Sequence, residues 1–214
     1  MPARSTGNCY LCGAELGKVA MKNHLQKLHG NGGGGQECYL LKIEGAYNKG
    51  YWLYIDVPLE KTLSAVDEFL RRIWLECCGH MSAFYAPYRE ELAKSRKLKT
   101  LPIGAQLLHE YDFGSTTETA ITIMGSMMRK PQKESVRLLS RNVPPRFNCA
   151  DCQSPADYIC LERIYESANP FCCKKCAEGL DVLLPVTNSP RMGVCGYEGE
   201  YDLFSFHSQT IVHT

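Results

Sequence analysis

Two groups of cysteine and histidine residues in this chain have the spacing of metal ligands. Cys9-Tyr-Leu-Cys12 sets two thiols three positions apart, and His24-Leu-Gln-Lys-Leu-His29 sets two imidazoles about one helical turn apart, with eleven residues between the pairs. Tetrahedral zinc takes four sulfur or nitrogen donors that converge on one point. A cysteine turn supplies two, and one face of a helix supplies the other two. Leu16 and Met21 are the expected core of such a finger. The competing arrangement is a Cys9–Cys12 disulfide with the histidines as bystanders. Near the other end, Cys149-x2-Cys152 and Cys173-x2-Cys176 are separated by twenty residues, the arithmetic of a zinc ribbon with two cysteine turns around a small hairpin. Cys172 adjoins Cys173, so either could be the ligand, and Cys160 and Cys195 are additional thiols. Two zinc ions are expected, one on Cys9, Cys12, His24 and His29, the other on Cys149, Cys152, Cys173 and Cys176.

A third constellation is Cys77-Cys-Gly-His80 together with Asp112. A thiol, an imidazole and a carboxylate make a nucleophile, base and orienter if they meet in space, or equally a set of metal ligands. The plainer expectation is that Cys77 and Cys78 fill space at a helix end and that Asp112 is a turn residue before Gly114. No phosphate-binding glycine loop, dinucleotide fingerprint or His-Glu-x-x-His helix occurs. An enzyme built on the Cys77–His80/Asp112 region therefore stands as the alternative to a binding function, and no small-molecule substrate is identifiable.

The finger itself is poorly equipped to read a nucleotide sequence. Its base-facing places hold Gly17, Val19, Ala20 and Asn23, of which only Asn23 can read a base edge. Lys18, Lys22 and Lys27 offer phosphate contacts, which add affinity without sequence choice. The expected partner is nucleic acid held weakly and non-specifically, through Lys18, Lys22, Asn23 and Lys27, or else a protein.

Composition sets the outer bounds. The chain has 214 residues, 44% hydrophobic and 22% charged, with a net charge of +1, so it is globular material and not a polycation. Charge is nevertheless uneven. Arg129, Lys130, Lys133, Arg137, Arg141 and Arg146 face only Glu134, and five acids between Glu178 and Asp202 face only Arg191. The basic stretch is either a nucleic-acid contact or a solvated rim. The twelve cysteines, six of them in C-x2-C pairs, together with the lack of an apolar leader or of an eighteen-residue apolar run, give the expectation of a cytoplasmic protein off the membrane, its thiols on metal.

These groups need elements to position them. Asn31 through Gly35 read as a flexible tether that leaves the finger free to move independently. Strands are predicted over 38–43 and 51–57 across a 45–50 turn, then a helix capped by Thr62 with Leu63, Val66, Phe69, Leu70, Ile73 and Trp74 at helical spacing. Further strands are predicted near 80–85, 106–112, 118–124 and, more weakly, 135–139, with 89–100 a loop or a poor helix. The fold class is α+β: a mixed sheet with a packed helix, flanked by an N-terminal zinc finger and a C-terminal Cys-rich, zinc-ribbon-like module. The domains are 1–30 finger, 31–36 glycine linker, 37–145 α+β body and 146–214 Cys-rich module and tail.

The body and tail carry longer motifs. Trp74-Leu-Glu-Cys-Cys-Gly-His-Met-Ser-Ala-Phe84, Glu110-Tyr-Asp-Phe-Gly-Ser-Thr-Thr-Glu118, Leu138-Leu-Ser-Arg-Asn-Val-Pro-Pro145 and Leu184-Pro-Val-Thr-Asn-Ser-Pro-Arg-Met-Gly-Val-Cys-Gly-Tyr197 resemble the plasmid pRiA4b open-reading-frame-three-like family, in the subset with a C-terminal zinc module. The resemblance covers roughly residues 38 to 200. It implies a compact α+β domain of plasmid- and transposon-associated proteins and no established activity. Relatives carry a further Cys shortly after the position of Cys160, where Leu161, Glu162 and Arg163 stand here, which argues against a second C-terminal zinc. The finger is an addition to that pattern.

Overall fold

A computed structural model describes residues 5–31, 35–166 and 168–200. The finger opens with strands β1 (Thr6–Cys9) and β2 (Glu15–Gly17) and helix α1 (Lys18–Leu28). Strands β3 (Gln36–Gly45) and β4 (Trp52–Pro58) follow, then helix α2 (Leu63–Leu70), which runs into a π-helical turn at Arg71–Leu75. Next come β5 (Ser82–Tyr85), β6 (Glu91–Leu92), β7 (Gln106–Tyr111), the long β8 (Thr117–Arg129) and β9 (Arg137–Asn142). The C-terminal module holds β10 (Tyr158–Cys160), α3 (Leu161–Glu166), β11 (Phe171–Cys172) and β12 (Leu183–Pro185).

Nine strands form one sheet in the order β2-β1-β9-β4-β3-β8-β7-β5-β6, and β11-β10-β12 form a small second sheet. The fold is α+β as expected. Every pairing between these strands is antiparallel, where a mixed sheet was expected. Tight turns such as 45–50 and 112–116 return the chain beside itself and produce that direction.

The finger is not a free unit. β1 pairs with β9 in the main sheet, through Gly7 with Asn142, Asn8 with Arg141 and Cys9 with Ser140. Past the tether, whose residues 32–34 lie outside the described ones, Met128 N–H donates to the Gly30 carbonyl at 2.9 Å. The physical reason is burial on both faces of the sheet. Along β3, Tyr39, Leu41 and Ile43 point toward α2, where they join Leu53, Ile55, Val57, Phe69, Leu70 and Trp74 in one core. The alternate residues Cys38 and Leu40 point the other way and join Trp52, Tyr54, Met127 and Leu139 beneath Met21 and Leu25 of the finger helix. A strand covered on both sides reads as one apolar run, which is how 38–43 appears in the sequence. A register irregularity between Leu40 and Leu41 against β8 switches the facing so that Met127 comes opposite Cys38 and also meets the finger, while Leu139 reaches it by ordinary alternation after Leu138. Gly7 has no room for a side chain: a Cβ there would lie 2.4 Å from the Trp52 ring and 2.4 Å from the Arg141 carbonyl oxygen.

Candidate metal centres

Among the described residues, three Cys/His tetrads could hold a metal ion such as zinc, and in each the four ligand atoms lie within 4.8 Å of one another. Around zinc, with bonds of about 2.3 Å to sulfur and 2.0–2.1 Å to nitrogen, ligand atoms stand roughly 3.3–3.8 Å apart.

The first tetrad is Cys9, Cys12, His24 and His29. Cys9 Sγ is 3.7 Å from His29 Nε2, Cys12 Sγ is 3.2 Å from His24 Nε2, and the two Nε2 atoms are 3.2 Å apart. The cysteine turn closes through Gly13 N–H to the Cys9 carbonyl at 2.7 Å, with Gly13 at φ 77°, a conformation glycine reaches without a Cβ penalty. Met21 and Leu25, fully buried, fix the helix so that His24 and His29 face that turn. Burial, and then the neighbouring His24, push the His29 pKa down, toward the neutral imidazole that a metal requires. Burial pushes the Cys9 thiol up.

The second tetrad is Cys149, Cys152, Cys173 and Cys176. Cys152 and Cys173 sulfurs stand 3.6 Å apart. Both turns repeat the finger's device: Gln153 N–H donates to Cys149 O and Ala177 N–H to Cys173 O, each at 3.0 Å. The backbone N–H of Cys173, with those of Cys152 and Asp151, points at the Cys149 sulfur and brings its pKa to about 6. Cys176, hydrogen-bonded first to Cys152 and then to Cys173, is pushed up to about 12. Four sulfurs this close share their negative charge only around a cation, which is the chemistry of a thiolate zinc site. Cys173, not Cys172, belongs to the tetrad. Cys172 and Cys160 are fully buried beside it and fill the module's small core.

The third tetrad is Cys77, Cys78, His80 and Cys195, which corrects one expectation. Cys195 returns to the helix end from more than a hundred residues away. Cys78 is not an apolar filler, since it is exposed and Cys77 is half-buried. Asp112 is a turn residue as expected: it adopts φ 66°, and its carboxylate accepts the N–H of Gly114 at 3.0 Å. It also meets His80, at 3.4 Å between Oδ2 and Nε2. Cys78 Sγ lies 3.0 Å from that same Nε2. A catalytic triad places nucleophile and carboxylate on opposite ring nitrogens. Here both address one nitrogen, an arrangement suited to a ligand and not to a base with its orienter. The sequence signals for this centre were Cys77-Cys-Gly-His80 and the glycine-flanked Cys195 in Gly193-Val-Cys-Gly196.

The residues expected to touch nucleic acid are divided. Asn23 and Lys27 are exposed on α1 and Lys22 is half-exposed, whereas Lys18 is ion-paired with Glu44 and donates to the Lys49 carbonyl. The basic stretch is no surface band. Arg129 and Arg137 both bind the buried Asp56, and Arg141 binds Glu200 and the Asn188 carbonyl. Lys130, Lys133 and Arg146 are the exposed cations of that segment.

Neither the family models nor the curated proteins include a match. Among solved structures the chain is similar to a protein of unknown function, MM3350 from Methanosarcina mazei Go1, at 17% sequence identity and a TM-score of 0.44, over 50% of this chain and 70% of that one. No described helix is long and apolar enough to cross a membrane.

Proposed function

We propose that this is a zinc-stabilised binding protein that works as an adaptor, and that it takes its place beside the plasmid pRiA4b open-reading-frame-three-like proteins of mobile elements. The observation that carries the reading is the full donor count of the finger and the C-terminal module: each offers four protein ligands, the composition of a structural zinc site, whereas catalytic zinc keeps a position for water. Two zinc ions, on Cys9/Cys12/His24/His29 and Cys149/Cys152/Cys173/Cys176, hold elements too small to fold on their own cores. A reducing cytoplasm suits thiols kept for metal.

The contact surface of this adaptor is the outward face of α1, with Val19, Ala20, Asn23 and Lys27. Val19 is 75% exposed, and with Lys18 engaged by Glu44 the face offers few cations. That balance favours a protein partner. Binding to nucleic acid is weak, non-specific and electrostatic, through Lys22, Lys27 and the exposed cations Lys130, Lys133 and Arg146. The alternative enzyme centred on Cys77, His80 and Asp112 is disfavoured by the shared Nε2.

Titration of labelled random-sequence duplexes and single strands at several salt concentrations tests the reading. Affinity should be low and should fall by roughly an order of magnitude or more between about 50 and 200 mM salt. Tight binding to one sequence with a shallow salt slope would overturn it. Complete absence of binding at low salt would leave the protein partner alone, to be mapped by Val19→Glu in a pull-down from the source cells.

A further inference from the structure

We propose that Cys77, Cys78, His80 and Cys195 bind a third thiophilic divalent ion, preferentially zinc, and that this ion clasps the C-terminal segment to the end of the core helix. The proposal adds a site to the two above and does not depend on either.

The geometry is that of a ligand set. Cys78 Sγ stands 3.8 Å from Cys77 Sγ and 3.8 Å from Cys195 Sγ, the edge length of a tetrahedron of sulfurs around zinc, about 3.8 Å, and far outside the roughly 2 Å of a disulfide. His80 Nε2 lies 3.0 Å from Cys78 Sγ and 3.2 Å from Cys195 Sγ. One ring nitrogen thus faces two sulfurs, with the Asp112 carboxylate at 3.4 Å behind them. A single N–H satisfies one of these three. A divalent cation satisfies both sulfurs and the nitrogen together, and three thiols with one imidazole suit a soft or borderline ion such as zinc.

The backbone is shaped for the same end. Gly79, at φ 83°, turns the chain between Cys78 and His80 so that both face one point. On the far side Gly193 at φ 78° and Gly196 at φ 65° flank Cys195, which itself adopts φ 50°, a left-handed conformation uncommon for a side-chain-bearing residue. The left-handed glycine directly after Cys195 stands where Gly13 follows Cys12 in the finger.

The surroundings offset part of the charge. Three thiolates around a divalent ion leave one net negative charge. The fully buried Arg191 guanidinium donates to Cys77 Sγ at 3.3 Å and to Asp112 Oδ2 at 2.7 Å, and it lies over the Tyr111 ring at 4.8 Å. Hydrogen bonds to a ligand sulfur are the ordinary outer support of a thiolate metal site. The segment that supplies Cys195 already leans on the helix end. Ser189 Oγ donates to the Trp74 carbonyl at 2.6 Å, and Trp74 Nε1 donates to the Asn188 carbonyl at 3.0 Å. The ion adds a joint of metal–ligand strength at Cys195, the segment's outermost contact with Cys78 and His80. With four protein donors the centre has no open position, so its role is to clasp and not to catalyse.

Elemental analysis of the full chain, purified under reducing conditions, tests the site. Wild type should carry three zinc per chain. Cys195→Ser and His80→Ala should each carry two, and His80→Cys, which restores a ligand, should return to three. Cobalt substitution should show the sulfur-to-metal charge-transfer band falling by a similar fraction in Cys195→Ser. Hydrogen exchange should quicken over 189–200 in His80→Ala and not over β1 and β9. Should Cys195→Ser fail to accumulate, the His80 pair decides. Wild type holding two ions that are lost only in Cys9 and Cys149 variants would overturn the third site and leave the adaptor reading intact. An intact mass showing a Cys78–Cys195 disulfide in the reduced preparation would also overturn it. Three ions with unchanged exchange over 189–200 in His80→Ala would overturn the clasp.

Discussion

Leu25→Ala separates a finger built into the sheet from one carried on a tether. Leu25 is 0% exposed and packs with Met21 against Leu40, Trp52, Tyr54, Met127 and Leu139, residues of four different strands of the main sheet. Removing the side chain forfeits about 1.5–3 kcal/mol of transfer free energy and adds a cavity term, because a rigid sheet collapses poorly into the gap. The expected loss is about 3–4 kcal/mol, charged to the unfolding of the whole finger-and-sheet unit. With a urea dependence of about 2 kcal/mol per molar, the midpoint should fall by roughly 1.5–2 M in one transition, monitored by tryptophan fluorescence. Zinc content should be measured in parallel. Leu28→Ala on the same helix, at a residue 70% exposed, is the control and should stay within about 0.5 kcal/mol of wild type. If Leu25→Ala leaves the main transition in place and only a separate, zinc-dependent finger transition moves, the shared core is refuted.

Other outcomes follow from the same packing. Gly7→Val should undock β1 from β9, since a Cβ there meets the Trp52 ring and a backbone carbonyl, at a cost of about 3 kcal/mol, and hydrogen exchange over 6–9 should reveal it. Cys149→Ser should lose one zinc and the exchange protection of β10–β12 while the nine-stranded sheet stays protected, because the module's core is little more than its cysteines. Asp67→Asn should cost about 2–3 kcal/mol by leaving Arg71 and Lys94 facing a neutral group, while the amide oxygen still accepts from His109. Its pH signature has a definite sign. Burial pushes the Asp67 pKa up, but hydrogen bonds from His109, Ser82 and Lys94 outweigh it and hold the folded value below the unfolded one. The aspartate therefore stabilises fully above about pH 5, and the contribution is lost as pH falls below about 4. The wild-type minus Asn difference in urea midpoint should shrink over that window, and a difference unchanged down to pH 2 would contradict the network.

The two evenly spaced ligand sets were legible in the sequence because their chemistry is local. A C-x2-C turn brings two sulfurs together by its own backbone, and His29, the non-helical cap residue just past α1, comes back beside His24 within five residues. The strands and α2 were legible for the same reason, since periodicity of two or 3.6 is written in neighbouring residues. Facing was not. The run 38–43 announced a strand, but nothing in it says that α2 covers one side and the finger helix the other. The glycines after His29 suggested a free finger, because a tether's composition carries no trace of a partner strand ninety or more residues away. Cys195 joins Cys77, Cys78 and His80 only where residues 189–197 come back against the helix end, and the same return buries Arg191 between Cys77 and Asp112. Likewise Arg129, Arg137 and Arg141 form a basic run in the sequence, yet Asp56 and Glu200 draw them away from solvent. Spacing determines what groups can do together when a few bonds join them. When long loops join them, only the balance of burial and charge over the folded sheet decides which groups meet.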